Sequence, residues 1–430
     1  MNTHINLESK ANIFQKAVKH GLIKAEDSAV IFYDLDYFQE KIAQLKKHFP
    51  ENTTHAIAIK ANPLIEILKK IHSLDAGVEA ATLPEFYLAY KAGFRADEII
   101  FDSPVKTVAD LEKVISANVH INADNFDELG RIAGILESRK TSSTFGLRVN
   151  PQIGSGTIAA TSVAGDYSKF GVPLNEYRDE IIDAYKKHNW LTGIHLHIGS
   201  QGIPLDMLVG GVKTIYDLTE KINAELESQA ATNRITYFDI GGGLPAVYRE
   251  TDPAITIERY ASALRAAIPG LFDGRYKLIT EFGRHIHAGA GWAVSTVEYV
   301  KKQGDINTAM IHLGADMFIR KCYNPDDWYH EISVIDSHGA VKGGTNARYN
   351  IAGPLCFAGD IIARELELPK ITAGDYLIIH DIGAYTFGMW SRYNSRLMPQ
   401  VIGYSDNGDS FEVLKMRESL EGVYNFWKRG

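Results

Sequence analysis

Cysteine is scarce in this chain, and its scarcity excludes two kinds of stabilisation. Among 430 residues only Cys322 and Cys356 are cysteines, so neither a disulfide framework nor a multi-cysteine metal site is expected. Free thiols are typical of a reducing compartment, and residues 1–22 are polar and charged, without the apolar core of a signal peptide. The sequence therefore predicts a cytoplasmic protein.

The chain also lacks basic runs and long apolar runs. Its net charge is −8, and no cluster of lysine and arginine is long enough to follow a phosphate backbone, so a nucleic-acid partner is not expected. No stretch reaches the roughly 18 apolar residues that a membrane helix requires, so a membrane partner is not expected either. The length and the hydrophobic fraction of 45% predict a globular protein with one large domain and a second domain.

Short apolar runs alternate with helix-like stretches through the first two thirds of the chain. Alternating strands and helices predict a parallel sheet, and eight units in about 230 residues match the size of a (β/α)8 TIM barrel. A doubly wound sheet is the alternative, although its usual glycine loop is absent after the first strand. The eight predicted strands are residues 55–60, 77–82, 99–104, 119–124, 144–151, 191–200, 235–243 and 276–283.

The pattern changes after about residue 291, where strand-like segments follow one another without regular helices. These segments, separated by glycine and proline turns, predict a C-terminal antiparallel β domain. An early apolar run at residues 29–33 could add a strand to it. We predict an N-terminal segment at 1–36 that joins the β domain, a barrel at 37–290 and the β domain at 291–430.

Two side chains are candidates for covalent or proton-transfer chemistry. Lys60 ends the first predicted strand, and a lysine that enters a barrel core is costly unless it is paired or modified. A Schiff base with an aldehyde cofactor removes that cost, whereas spacing alone favours a strand-end lysine that reaches solvent. The thiol of Cys356 could donate a proton to a reactive carbon, although packing is the commoner role of a single cysteine.

Three glycines, Gly241, Gly242 and Gly243, close the seventh predicted strand. Their backbone N–H groups could approach a phosphate with no side chain in the way, and phosphate sites in TIM barrels favour this loop and the next. A tight turn is the commoner meaning of such a run. Tyr385 could likewise be an ordinary core tyrosine. The side chains that could bind the same anion are Ser200, Arg284 and Tyr385.

Glu281 and His197 are candidates for the two sides of an aromatic cofactor. A carboxylate after the eighth strand could keep a pyridine nitrogen protonated, or it could instead pair with Arg284 or Arg148. His197 and His195 alternate, so they share one face of a regular strand, and a flat imidazole is suited to stacking. A histidine metal site is disfavoured because no third ligand lies nearby in the sequence.

With these residues aligned, the sequence resembles the alanine-racemase-like, fold-type III enzymes that use pyridoxal 5′-phosphate, and within them the diaminopimelate decarboxylases. The resemblance runs from Phe32 to Gly422, and it overturns the simpler readings of Lys60, Glu281 and the three glycines. The matching motifs are Ala58-Ile-Lys-Ala-Asn62, His195-Leu-His-Ile-Gly-Ser-Gln201, Asp239-Ile-Gly-Gly-Gly243, Glu281-Phe-Gly-Arg284, Gly353-Pro-Leu-Cys356, Asp381-Ile-Gly-Ala-Tyr385 and Tyr393-Asn-Ser-Arg396.

The resemblance implies a cofactor site and a substrate site. Lys60 would carry the cofactor as a Schiff base, His197 would stack on its ring, and Glu281 would contact the pyridine nitrogen. Arg320 would bind a substrate carboxylate, as Arg284 could also do, and Cys356 would come from the partner subunit of a homodimer. The residues that would surround the phosphate are Ser200, Gly241, Gly242, Gly243, Arg284 and Tyr385.

The chain departs from the diaminopimelate pattern around the substrate. Family members have Cys-Glu-Ser where this chain has Cys356-Phe357-Ala358, and Phe357 cannot accept a hydrogen bond from a distal ammonium group. At this one position the segment Phe357-Ala-Gly-Asp360, a hydrophobic residue followed by Ala-Gly-Asp, is more similar to the corresponding segment of carboxynorspermidine decarboxylases. The family has a tyrosine four residues after the substrate-binding arginine, whereas Tyr323 lies three residues after Arg320. In addition, Phe282 replaces the proline of the Glu-Pro-Gly-Arg motif, a change that we expect to be tolerated.

The resemblance therefore implies an enzyme that releases CO2 from Cα of a small amino-acid substrate. The departures leave open D- or L-lysine, D- or L-ornithine, carboxynorspermidine or a siderophore precursor in place of diaminopimelate. An amino-acid racemase on the same fold is a second alternative, although the anionic Glu281 favours decarboxylation because racemases of this fold pair the pyridine nitrogen with a cation. A catalytically silent regulatory homologue is a third.

Overall fold

The computed structural model describes residues 6–429; residues 1–5 and 430, which belong to the predicted first and last segments, lie outside them. The strands are β1 Ala29–Asp34, β2 Thr54–Ala58, β3 Gly77–Ala80, β4 Ile99–Asp102, β5 His120–Ala123, β6 Thr144–Asn150, β7 Val172–Pro173, β8 Leu191–His195, β9 Tyr237–Asp239, β10 Lys277–Thr280, β11 Gly291–Gln303, β12 Ile306–Ile311, β13 Ile332–Ile335, β14 Asn346–Ala352, β15 Ile361–Pro369, β16 Tyr376–Ile379, β17 Gln400–Ser405 and β18 Ser410–Lys415. The helices are α1 Leu7–Lys19, α2 Leu35–His48, α3 Ile65–Ser73, α4 Leu83–Ala92, α5 Val108–Ser116, α6 Phe126–Ser138, α7 Leu174–Lys187, α8 Leu205–Ser228, α9 Ile257–Ala267, α10 Arg284–His287, α11 Ile319–Tyr323 and α12 Leu420–Trp427.

Eight parallel strands form a closed barrel, which confirms the predicted fold class. Their order is β5-β4-β3-β2-β10-β9-β8-β6, and the pairing of β6 with β5 closes the ring. The two-residue strand β7 pairs only with β6. Strands β3, β4 and β5 are buried along their whole length, as expected for strands that face a filled barrel on one side and helices on the other.

The barrel helices begin where short polar side chains cap their first turns. Thr82 accepts the N–H of Glu85 at the start of α4, and Asn125 accepts the N–H of Glu128 at the start of α6. Such caps satisfy backbone donors that have no partner inside the helix. Gly93 ends α4 with a φ of +103°, a conformation that glycine adopts without strain.

Several barrel strands are shorter than predicted. The strand predicted at 55–60 ends at Ala58, and a turn of 3-10 helix, Ile59–Ala61, follows it. The strands predicted at 191–200 and 235–243 end at His195 and Asp239. Apolar runs continue past the end of the ladder because the connecting loops are also buried, so the candidate residues lie on the loops that leave the strands.

The second sheet is mostly antiparallel, as predicted for the β domain. Its main order is β15-β14-β12-β11-β1-β17-β18, and β16 pairs with both β11 and β13. The pairs β1–β17 and β12–β14 are parallel, and neither joins strands that are consecutive along the chain. The rings of Phe32 and Trp292 stack at 4.3 Å in its core, and the Trp292 indole donates to the hydroxyl of Tyr404.

The chain folds into two compact units. Among the described residues, the barrel unit comprises 40–246 and 254–286, and the β-domain unit comprises 6–39, 247–253 and 287–429. The predicted boundaries at residues 36 and 290 stay predictions. Within residues 6–429, no helix combines the length and the apolar character that crossing a membrane requires.

Candidate active site

Lys60 lies on the turn that follows β2, and its side chain reaches a buried acid. Its Nζ donates to Oε2 of Glu79 at 2.6 Å, and the Glu79 side chain at the end of β3 is inaccessible to solvent. Burial, which outweighs the opposing charge of Lys60, raises the pKa of Glu79 to about 8. The amine is thus held inside the barrel mouth and can exchange a proton with its partner.

Glu281 follows β10 and belongs to a buried chain of charges. Its Oε2 lies 3.4 Å from Nε2 of His195, and Nδ1 of His195 lies 3.7 Å from Oδ1 of Asp102. Burial pushes the pKa of Glu281 up, but the charge of His195 outweighs it and the pKa is lowered. Arg148, one of the two partners that the sequence suggested for Glu281, instead donates to Asp102 at 3.2 Å.

His197 is half-buried on the loop after β8 and is a neutral imidazole. Its Nδ1 accepts the backbone N–H of Gly242 at 3.0 Å, so the proton of the neutral ring resides on Nε2. Burial, followed by the charge of Arg148, lowers the pKa of His197 to about 3. A neutral ring that is fixed by a backbone donor offers a flat face without adding charge.

The loop after β9 packs so closely against neighbouring backbone that its positions require glycine. A Cβ at Gly241 would lie 2.4 Å from the carbonyl oxygen of Leu196, and one at Gly242 would lie 2.5 Å from that of Glu281. The φ angles of Gly241 and Gly243 are +64° and +105°. Two of the three amides already donate to side chains, Gly241 to Asp239 and Gly242 to His197. Fewer amides are therefore directed at a ligand than the sequence predicted.

Ser200 and Arg284 meet although they follow different strands. Nε of Arg284, at the start of α10, donates to Oγ of Ser200 at 3.1 Å on the loop after β8. Arg284 is buried and Ser200 is half-buried. A guanidinium and a hydroxyl that meet in this way are suited to binding one anion, and their role at a phosphate stays a prediction.

The structure brings a third potential metal ligand to the two histidines, which are the pair that the sequence places together. Glu281 does lie beside the two histidines, and one ligand atom from each of His195, His197 and Glu281 falls within a 4.8 Å group. The third ligand was missed because it follows β10, far from β8 in the sequence. Both nitrogens of His195 face carboxylates, and Nδ1 of His197 accepts an amide, so these groups have roles that a metal would displace.

Within the β domain, Arg320 lies between two aromatic rings. Its guanidinium carbon is 4.8 Å from the Trp328 ring centroid and 4.7 Å from that of Tyr385. Stacked rings cover the faces of a guanidinium, whereas its N–H donors point outward in its plane. Tyr385 adopts a left-handed backbone with φ +58°, a strained conformation for a tyrosine.

Cys356 and Phe357 lie on an exposed turn of the same domain. Asn394 accepts the N–H of Cys356 at 2.8 Å, and the Tyr393 hydroxyl donates to its carbonyl at 3.1 Å, so the turn is held from both sides. The Phe357 ring stacks on that of Tyr323, with centroids 5.3 Å apart and an interplanar angle of 16°. The thiol is exposed.

Comparison with known proteins identifies the family. The family described as pyridoxal-dependent decarboxylase, pyridoxal binding domain, matches residues 35–288, which is more than half of the chain. The chain belongs to the pyridoxal-dependent decarboxylases. Such an enzyme is a carboxy-lyase, and its cofactor is pyridoxal 5′-phosphate. This decarboxylase therefore acts on an amino acid, as the sequence predicted.

Relatives of this decarboxylase match it over nearly their whole length. Diaminopimelate decarboxylase of Helicobacter pylori is 28% identical over 414 residues, covering 95% of this chain and 98% of its own. That of Archaeoglobus fulgidus is 31% identical over 392 residues, covering 89% and 88%. The crystal structure of the H. pylori enzyme complexed with L-lysine has a TM-score of 0.83 at 27% identity, covering 95% and 98% of the two chains.

The residues of this decarboxylase fit the cofactor. Oε1 of Glu281 is buried and has no hydrogen-bond partner within residues 6–429, as expected of an acceptor that awaits a ring N–H. The paired guanidinium and hydroxyl of Arg284 and Ser200 suit a phosphate. Lys60 remains 38% exposed, so its amine is accessible.

The predicted residues form two groups, one in each unit. The barrel holds Lys60, His197, Ser200, the three glycines, Glu281 and Arg284, and the β domain holds Arg320, Tyr323, Cys356, Phe357 and Tyr385. Sequence reasoning gave no role to the residues that orient them. Three of them stand in family motifs, and the polar ends of predicted strands could have indicated Glu79 and Asp102, whereas no local signal indicates Trp328. These orienting residues are Glu79, Asp102, His195, Trp328, Tyr393 and Asn394.

Proposed function

We propose that this enzyme decarboxylates a diaminopimelate-like amino acid that carries a distal carboxylate or similar anion but no free ammonium group at the usual distal position. The stack of Phe357 on Tyr323 carries the proposal, since it stands where the resemblance implies a glutamate. An aromatic ring face can cover an alkyl chain but cannot accept a directional hydrogen bond as a carboxylate does. The edge of Arg320 supplies donors for the anion.

The barrel residues would hold the cofactor. Lys60 would bind its aldehyde carbon, Glu281 its pyridine nitrogen, and Ser200 and Arg284 its phosphate, with the neutral ring of His197 against the cofactor ring. The backbone of Gly241–Gly243 would complete the phosphate site of the barrel. Each assignment rests on the chemistry of the side chain and on the contacts that hold it in place.

When bound, the cofactor supplies a sink for the electron pair that the departing carboxylate leaves behind. Glu281, held as an anion, keeps a proton at the pyridine nitrogen. Glu79 takes or returns a proton at Nζ of Lys60, which its 2.6 Å hydrogen bond and raised pKa allow. His197 adds no charge that would compete with that sink.

Cys356 would complete the reaction by donating a proton to Cα. We propose that it acts in the site of a second copy of this chain, so that a homodimer carries two shared sites. The thiol is exposed, and Asn394 and Tyr393 hydrogen-bond to the Cys356 backbone. Both observations support this role, because a proton donor must be accessible and held in place.

A panel of substrates tests the proposed specificity. CO2 release would be measured for the loaded enzyme with meso-diaminopimelate, L- and D-lysine, L- and D-ornithine, carboxynorspermidine, a carboxylated siderophore precursor, and 2-aminopimelate, which keeps the distal carboxylate and lacks the distal ammonium group. We expect meso-diaminopimelate to be a poor substrate and Phe357→Glu to raise its kcat/KM roughly 10- to 100-fold, since the ammonium regains an acceptor. Phe357→Leu is the matched control and should give no gain. Efficient turnover of meso-diaminopimelate by the unchanged enzyme would show that the pocket argument is wrong.

Mixed dimers test the shared site. Lys60→Ala and Cys356→Ala chains, each nearly inactive alone, would be mixed during refolding in equal amounts. Half of the dimers are then hybrids, and each hybrid has one intact site, so about a quarter of the normal activity should return. Recovery of nothing, with dimers visible in solution, would mean that Lys60 and Cys356 act in the same chain.

A further inference from the structure

His195 lies directly beside the carboxylate assigned to the pyridine nitrogen, and no role in the proposed function uses it. Its side chain is inaccessible to solvent. Nε2 lies 3.4 Å from Glu281 and Nδ1 lies 3.7 Å from Asp102. These are ion-pair distances, and neither nitrogen makes a hydrogen bond within residues 6–429. The ring is therefore held between two acids by charge and packing.

The charges around His195 favour its protonated form. Burial lowers its pKa, but Asp102, Asp239 and Glu281 together outweigh burial and raise the pKa to about 9. Asp239 is the weakest acid of the three, since burial and then Glu281 raise its own pKa well above the ordinary value. Arg148 is occupied with Asp102 at 3.2 Å. His195 is thus the cation that lies closest to Glu281 among the ion pairs of the described residues.

Such a cation solves a physical problem of the site. A buried carboxylate without a counter-charge takes up a proton, and a protonated Glu281 would no longer draw a proton onto a pyridine nitrogen. The charge on a pyridinium depends on the proton that it shares with Glu281, so that charge cannot by itself decide where the proton resides. A cation on the other side of Glu281, where His195 lies, stabilises the carboxylate and therefore favours the proton on the ring nitrogen.

We propose that His195 is a positioning residue that holds Glu281 as an oriented anion, linking it to Asp102 and Arg148 across the barrel. This inference rests on the proposed function of Glu281. It makes His195 responsible for the electron-accepting strength of the cofactor without contact between the two.

The test uses the loaded enzyme and a readout that does not depend on turnover. His195→Gln keeps a polar side chain of similar size but carries no charge. The chemical shift of 15N in the pyridine ring of labelled cofactor reports whether that nitrogen is protonated. We expect the nitrogen to be protonated at pH 7 in the unchanged enzyme and largely unprotonated in His195→Gln, with kcat roughly 10- to 100-fold lower and KM within about twofold.

His55→Gln is the matched control. His55 is another buried imidazole of the barrel, hydrogen-bonded to Thr280 at 2.9 Å, and it forms no ion pair within the described residues. Its pKa is lowered to about 4 by burial and by Lys46, so it is neutral and its loss removes no charge. The control should leave the nitrogen shift and kcat unchanged.

A second measurement covers the case in which His195→Gln does not fold. In the unchanged enzyme with 15N-labelled histidine, one buried imidazole should remain an imidazolium at pH 7 and titrate at about pH 9. A neutral His195 at pH 7, or a protonated pyridine nitrogen in His195→Gln, overturns the proposal. If the unchanged enzyme releases CO2 from no substrate of the panel, the proposed function fails, while the nitrogen shifts still decide the role of His195.

Discussion

Lys60→Ala is expected to remove the covalent link to the cofactor and to lower kcat by roughly 10²- to 10⁴-fold. The amine is the only group on the turn after β2 that can bind an aldehyde carbon, and its buried partner Glu79 cannot replace it. Borohydride reduction followed by mass spectrometry measures the link directly. The unchanged chain should gain the mass of the reduced cofactor on Lys60, and the variant should gain none.

Lys69→Ala is the matched control for this experiment. Lys69 lies on α3, close in sequence, and pairs on the surface with Glu66 at 2.8 Å. Its loss should leave both the trapped mass and kcat unchanged. Covalent trapping on another lysine in Lys60→Ala, or undiminished turnover, would contradict the assignment.

Glu281→Gln is expected to lower kcat by roughly 10²- to 10³-fold with a small effect on KM. An amide carries no charge, so it cannot hold a proton on the pyridine nitrogen, and the sink for electrons weakens. Because the pKa of Glu281 is lowered, the carboxylate is ionised throughout the neutral range. Protonation of Glu281 should therefore cause no fall in kcat until the pH drops below the ordinary pKa of a glutamate.

Glu128→Gln separates loss of chemistry from loss of stability. Glu128 is a buried glutamate of the same barrel, and it pairs with the inaccessible Nζ of Lys106 at 2.6 Å. Removing one partner of a buried pair costs about 3 kcal/mol of unfolding free energy. Thermal unfolding should shift for Glu128→Gln while kcat per folded enzyme stays the same. Equal kcat losses in the two variants would mean that Glu281 is only structural.

The barrel was predictable because its eight strands are short apolar runs and most of them are followed by a stretch with helical spacing. The helices α1, α2 and α12 were not predicted. Helix α2 follows β1 without a break, and α12 is only eight residues long, so the helical period of their apolar residues is difficult to recognise in the sequence. The parallel pairs of the second sheet were also missed, since pairing between distant strands leaves no local signal.

Part of the candidate site could be predicted from the sequence and part could not. Lys60, Glu281 and the three glycines could be singled out as candidates because each follows an apolar run and stands in a family motif. His195 was noted only as a neighbour of His197, yet the end of β8 at His195 gives the two rings different partners. The link from His195 to Asp102 crosses the barrel interior and exists only after the ring of strands closes. Such contacts follow from topology and cannot be read from spacing.

The position of β1 has a consequence for how the chain must be made. This strand lies in the middle of the second sheet, where Val30 pairs with Val294 on one side and with Gln400 on the other. During synthesis its apolar residues emerge first and wait for partners that are translated last, while the whole barrel forms in between. A fragment that starts at residue 291 would expose two open strand edges and should aggregate. Any division of this enzyme into separately expressed parts must therefore carry residues 29–34 along with the C-terminal strands.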